Sequence, residues 1–314
     1  MTPEQVVTLL QEQCSAGQQV YLLLDVLAEK NASGPLTLPS LTGVFGSAAI
    51  ERIARPDLAH QPEAWPALVR IDGVDQTTTV DYLRRSACQM LEDGQHSRRY
   101  VCAWITDSQP AEWLAERIAS LCSVKGDEGV GYGFPWYEPV HLEIMAAAFN
   151  QAVEHALWPI RSWVCPTSCG GVALLRGRSS KAETTSFLMP YSVVHLLPTA
   201  AAFLLIWQQA CSQPRAHSHS NWKADVSLPP QAGIRALTLM QSAWQAGLRN
   251  KTDLMTLCLH QVLVHPQLPQ HPRIQEDIAQ AARGVKPLAE RFASYDDTAW
   301  THIQATLPKV ELPL

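Results

Sequence analysis

Apolar and polar positions change period repeatedly along the first half of the chain. Val20-Tyr21-Leu22-Leu23-Leu24 is an unbroken apolar run closed by Asp25, the length of a strand buried on both faces. Residues 67–71 and 100–105 predict two more strands, and residues 160–164 and 171–175 a further pair joined by a turn at 165–170. Between the runs the period lengthens to that of a helix. Val80, Leu83, Ala87, Met90 and Leu91 form one stripe, and Trp113, Leu114, Ile118 and Leu121 a second behind Ser108 as cap. A third helix is predicted over 140–157, with a stripe of Ile144, Ala147, Ala148, Ala152 and Ala156 and a stop at Pro159. At the start of the chain, Thr2 reads as an N-cap, Pro3 as a first helical residue and Gln5 as the partner closing a capping box.

The second half follows one period only. From Pro198 onward the apolar positions are spaced for helices, over residues 233–247, 253–264 and 273–283, with Gly284 as a stop and Asp297 as the cap of a last helix bearing Trp300 and Ile303. Residues 184–214 contain no Asp, Glu, Lys or Arg. Pro190, His195 and Pro198 interrupt them, so a buried strand and a buried helix starting near Pro198 are expected rather than a membrane span. Residues 212–230, rich in Pro, His and Ser, predict an exposed loop. The expected fold class is α/β: an N-terminal lobe over 1–178, with a mixed sheet flanked by helices, then an all-helical C-terminal lobe over 179–314.

With 46% hydrophobic and 17% charged residues the chain has globular composition, and its net charge of −5 gives no footprint for nucleic acid. The first residues lack the basic stretch of a signal peptide, so a cytoplasmic location is expected. Eight cysteines, most within apolar runs such as 100–104 and 257–259, read as buried thiols rather than disulfides.

Candidate chemistry is sparse. Cys165 and Cys169, with His217 and His219, could supply four zinc ligands, which keeps open a zinc-dependent enzyme or zinc-stabilised domain. The spacing matches no standard pair of ligand pairs, however, and an ordinary turn accounts for the two cysteines. Gly129, Gly131 and Gly133 follow a predicted helix and run into Phe134-Pro135-Trp136, which is not the setting of a phosphate loop. No Gly-x-Ser-x-Gly elbow is present. A catalytic role and a cofactor are therefore not expected. The ten tryptophans raise a different possibility, because Trp and Tyr anchor protein interfaces. Trp136, Tyr137 and Trp222 fall in predicted loops or element ends and are the interface candidates.

Five segments, in order, resemble the Tap/Tec effector chaperones of type VI secretion. They are Tyr21-Leu22-Leu23-Leu24-Asp25; Phe134-Pro135-Trp136-Tyr137-Glu138-Pro139-Val140; Trp158-Pro159-Ile160-Arg161-Ser162-Trp163; Ala246-Gly247-Leu248 with Asp253-Leu254; and Gln270-His271-Pro272-Arg273-Ile274-Gln275, with Trp300 as a terminal Trp. The resemblance implies a two-lobed, non-catalytic adaptor that binds a cognate toxin effector and helps load it onto the VgrG spike, with no nucleic-acid or membrane partner. It adds Glu138 and His141 to the candidate effector-binding residues. The family carries Arg where Pro135 stands and Asp where Glu138 stands, so here another residue must hold the motif.

Overall fold

A computed structural model describes residues 1–32, 34–94, 96–126, 131–177, 188–189, 191–212 and 228–308. The chain divides into two compact units, Met1–Tyr191 and Ser192–Leu314. The boundary expected at 178/179 lies outside the described residues.

Helix α1 (Pro3–Gln13) opens the first unit with the expected capping box: Gln5 N donates to Thr2 Oγ1 and Thr2 N to Gln5 Oε1. A six-stranded sheet follows, formed by β1 (Gln19–Leu24), β2 (Ile50–Arg52), β3 (Ala67–Arg70), β4 (Val101–Asp107), β7 (Ser162–Pro166) and β8 (Val172–Leu175) in the order β2-β3-β1-β4-β7-β8. The mixed sheet expected from sequence is corrected here, because every pairing in it is antiparallel. In the structure β1 lies between β3 and β4 and runs against both, so the helical link from β3 to β4 passes over a strand of opposite direction.

Pleating sends alternate side chains to opposite faces. Val20, Leu22, Leu24, Val69, Trp104 and Val164 join one core with Val6, Val7 and Leu10 of α1 and Tyr82, Leu83, Ala87 and Met90 of α3 (Gln76–Asp93). Leu36, and Leu41 of α2 (Leu38–Phe45), close its end. The buried Trp104 ring is oriented by a 2.8 Å hydrogen bond from its Nε1 to Ser86 Oγ. Tyr21, Leu23 and Ile105 alternate to the other face, against which α4 (Ala111–Leu121) and α5 (Pro139–Leu157) pack. A small second sheet joins β5 (Ser123–Gly126), β6 (Gly131–Gly133) and β9 (Leu188–Met189), with β5 antiparallel to β6 and parallel to β9.

Some helical details differ from the pattern. Pro110, not Ser108, precedes α4, and its buried face is Leu114, Ala115 and Ile118, with Trp113 half-exposed. Helix α5 buries Leu142, Ile144, Met145, Val153 and Leu157 rather than the alanine stripe, because a non-helical Phe149 (φ −136°, ψ 40°) shifts the phase of the second half.

The described part of the second unit holds only helices: α6 (Tyr191–Ser212), α7 (Ala232–Gln245), α8 (Lys251–Leu263), α9 (Pro272–Ala282), α10 (Leu288–Ala293) and α11 (Asp297–Thr306), plus a short 3-10 turn. Helix α6 starts at Tyr191 and carries Pro198 in its interior, seven residues past its start. Its uncharged sequence is explained by burial: Leu196, Leu197, Ala200, Phe203, Leu204 and Trp207 all lie in the core. Asp296, one residue before the expected Asp297, caps α11. Trp300 stacks on His260 and meets Phe292 and Tyr295 edge-on. No helix of the described residues is long and apolar enough to cross a membrane.

Gly177 marks the tightest backbone approach in the first unit. Its N–H donates to Ile160 O at 2.9 Å, and a Cβ would meet Ile160 O at 2.7 Å and the Leu157 carbonyl at 2.9 Å. Those neighbours are backbone and cannot swing aside. Gly177→Ala is expected to destabilise this unit by about 1–3 kcal/mol, read as a lower urea midpoint. An unchanged midpoint would show that the turn yields.

Candidate functional site

Residues 134–141, with Phe134, Trp136 and Tyr137 followed by Glu138, form a folded corner between β6 and α5. Phe134 N donates to Cys122 O at 2.8 Å, Trp136 N to Phe134 O, and Glu138 N to Pro135 O, so the corner is held first by its own backbone. Glu138 then caps α5: its Oε2 accepts from His141 N at 3.0 Å, where an acid also meets the positive end of the helix.

Charges from three other places converge on this corner. Arg99, just before β4, puts Nη1 3.4 Å from Glu138 Oε1, both side chains being less than a tenth exposed. Arg55, beyond β2, donates from Nη1 to the Tyr137 hydroxyl at 2.7 Å and pairs with Asp57, while its guanidinium lies 5.6 Å from the Tyr137 ring centroid. Burial opposes the Arg55 charge, but Asp57 and Tyr137 outweigh it and raise its pKa. Asp25, at the end of β1, is fully buried; Oδ1 accepts from Leu27 N at 3.1 Å. Its Oδ2 receives no hydrogen bond among the described residues, the half-exposed Arg98 standing 3.6 Å away. Burial pushes the Asp25 carboxyl up to about 6, against the pull of Arg98.

The His141 ring lies against Phe134, with centroids 4.9 Å apart, and its Nδ1 is 3.8 Å from Glu138 Oε2. Burial lowers its pKa more than Glu138 raises it, which keeps the imidazole neutral at pH 7. Next on α5, Glu143 accepts from Ser168 N at 2.6 Å and Ser168 Oγ at 2.8 Å, tying the turn after β7 to the helix.

The structure therefore brings four of the five candidate effector-binding residues together, but inside the protein. Trp136, Tyr137 and Glu138 are buried and His141 nearly so. As they stand they present almost no surface to a partner, which corrects the expectation drawn from their place in a loop. The physical reason is that the corner is tied down by Cys122, Arg55 and Arg99, and its aromatics are packed into the interior. Trp222 lies outside the described residues.

Of the zinc candidates, Cys165 sits in β7, fully buried, its thiol pushed up to about 12 by burial. Cys169 is half-buried in the following turn, 3.3 Å from Thr167 Oγ1. His217 and His219 lie outside the described residues. Among the described residues no group of three or more His, Cys, Asp and Glu side chains is placed to hold a metal ion. Cys122, below the corner, is likewise raised to about 11 by burial, so neither thiol is poised as a nucleophile at neutral pH.

Sequence reasoning missed Arg55, Arg99 and Glu143. Arg99 left a trace, because a charge directly before a fully apolar strand must find a buried partner. Arg55 and Glu143 left none, since their partners are 82 and 25 residues away. No protein-family model, curated protein or solved structure matches the chain.

Two outcomes follow from the buried charges. Arg99→Met strands Glu138 and is expected to cost about 2–4 kcal/mol in urea unfolding, whereas Arg99→Met with Glu138→Gln, which keeps an oxygen for His141 N, loses less. Equal losses would mean that the pair is not coupled. For Asp25, the folded pKa lies above the usual value near 4, so its contribution to stability is full below about pH 4 and is lost as pH rises through about 6. Asp25→Asn keeps the acceptor for Leu27 N and is expected to be about 1–2 kcal/mol more stable than wild type at pH 8, with no advantage below pH 4. A variant less stable at pH 8 would show that Arg98 holds the charge more strongly than burial opposes it.

Proposed function

We propose that this protein is a cytoplasmic, non-catalytic chaperone that binds a cognate toxin effector of type VI secretion and assists its loading onto the VgrG spike. The reading rests on the ordered segments that resemble the Tap/Tec adaptors. The observation that carries it is that Phe134–Val140, the best marked of them, is the corner where the buried Arg55, Arg99 and Glu138 meet. Where the family has an Arg–Asp pair, this chain has Glu138 paired with Arg99. The motif's altered residues thus come with a replacement for their lock.

How the buried acids are used also favours a binding role. Asp93 accepts from Tyr100 N and Val101 N, Asp107 from Gln109 N and Arg161 N, and Glu138 from His141 N. Carboxylates committed to backbone amides in this way hold turns and helix starts, and are not free to shuttle protons to a substrate.

Co-expression with the product of the adjacent toxin gene is expected to give a complex that stays together through size-exclusion chromatography. Separate elution of the two folded proteins would overturn the reading.

A further inference from the structure

A second polar cluster lies in the helical unit, and it goes beyond the adaptor reading without depending on it. Helix α9, the link to α10 and the residues after α10 enclose a cleft of about 320 Å³ lined by Arg273, Glu276, Asp277, Lys286, Arg291, Ser294 and Tyr295. Its two acids are already engaged. Asp277, almost fully buried, accepts from Arg291 Nε at 2.5 Å and from the Tyr295 hydroxyl. Glu276 on the rim accepts from Gln280 Nε2 at 2.6 Å and faces Arg283 at 3.7 Å.

The cations are only partly engaged. Arg291 spends Nε on Asp277 and Nη1 on Gln280 Oε1 (2.5 Å), which fixes the guanidinium plane; its Nη2 makes no hydrogen bond among the described residues. The Arg273 guanidinium carbon lies 4.1 Å over the Tyr295 ring centroid, a cation–π contact that holds its head group at the cleft. Neither Arg273 nor Lys286 has an acidic partner among the described residues. In a chain of net charge −5, this cleft gathers three cations around acids that are satisfied from within.

We propose that this cleft is a docking site for an acidic side chain on a protein partner, with Arg273 and Lys286 gripping the carboxylate and Arg291 offering Nη2 from the floor. Arginine's fork matches a planar carboxylate, and a cleft of this size admits one Asp or Glu side chain. A protein segment is favoured over a free anion because the lining includes the Tyr295 ring, and Val285, two-thirds exposed, stands next in the chain to the lining residue Lys286, so that a flanking chain would meet apolar surface.

The test uses the full-length protein and a fluorescein-labelled acidic heptapeptide, glutamate and aspartate alternating with glycine, followed by fluorescence polarisation. The peptide is expected to bind wild type, to weaken with added salt, and to lose at least tenfold in affinity for Arg273→Gln/Lys286→Gln. Both substitutions leave the hydrogen bonds among Asp277, Arg291 and Tyr295 in place, and losing the Arg273 contact with the Tyr295 ring is expected to lower the thermal melt only slightly. No binding to wild type, equal binding by the double variant, or equal binding of the glutamine/asparagine peptide would overturn the proposal. Full displacement by inorganic phosphate at the peptide's own concentration would also overturn it, by making the cleft a site for small free anions.

Discussion

The constraint on which the first unit depends is the burial of carboxylates against backbone N–H groups. An ionised acid is costly to bury, and a junction between a strand and a helix or turn leaves amides without partners. Each need is met by the other. Asp25 stands where β1 ends, Asp93 where α3 ends and β4 begins, Asp107 where β4 ends, and Glu138 where α5 begins. Asp93 is the most fully committed, accepting from two successive amides of the β4 approach and from Gln89 Nε2. The sheet's central strands can therefore stop sharply and turn without opening the core to water. In the second unit Asp253 serves α10 in the same way through Leu288 N, at 2.7 Å.

Such a scheme puts charge inside the protein, and at the corner of residues 134–141 two arginines answer part of it. Arg99 and Arg55 come from either side of the corner, one to Glu138 and one to Tyr137 and Asp57. A buried ion pair contributes little net stability over an apolar packing, but it penalises any arrangement that separates the partners. Its use here is registration: the corner can sit in one position relative to β4 and to the chain beyond β2. Asp25 is the incomplete member, with one oxygen lacking a hydrogen bond and a carboxyl raised to about 6.

Much of the framework was legible in the chain. The apolar run ending at Asp25, the capping box of Thr2 and Gln5, and the single helical period after Pro198 each correspond to an observed element. The errors share a cause. β2, three residues long and half-buried, carries too little pattern to register, and it is a strand only because β3 supplies its partner. Trp136 and Tyr137 were expected at the surface because a loop of Gly and Pro usually lies there. This loop is instead buried, tied to Cys122, Arg55 and Arg99 from elsewhere in the first unit.

By itself the sequence determined five of the six strands of the main sheet and most of the helices, where several of them are capped, and that the two halves follow different periods, because hydrophobic spacing and capping act over a few residues. Only the tertiary structure decided strand direction, the burial of residues 134–141, and the pairing of Arg99 with Glu138 and Arg55 with Tyr137. Those depend on contacts between residues 39 and 82 positions apart, and no local pattern records which distant charge will close over a buried one.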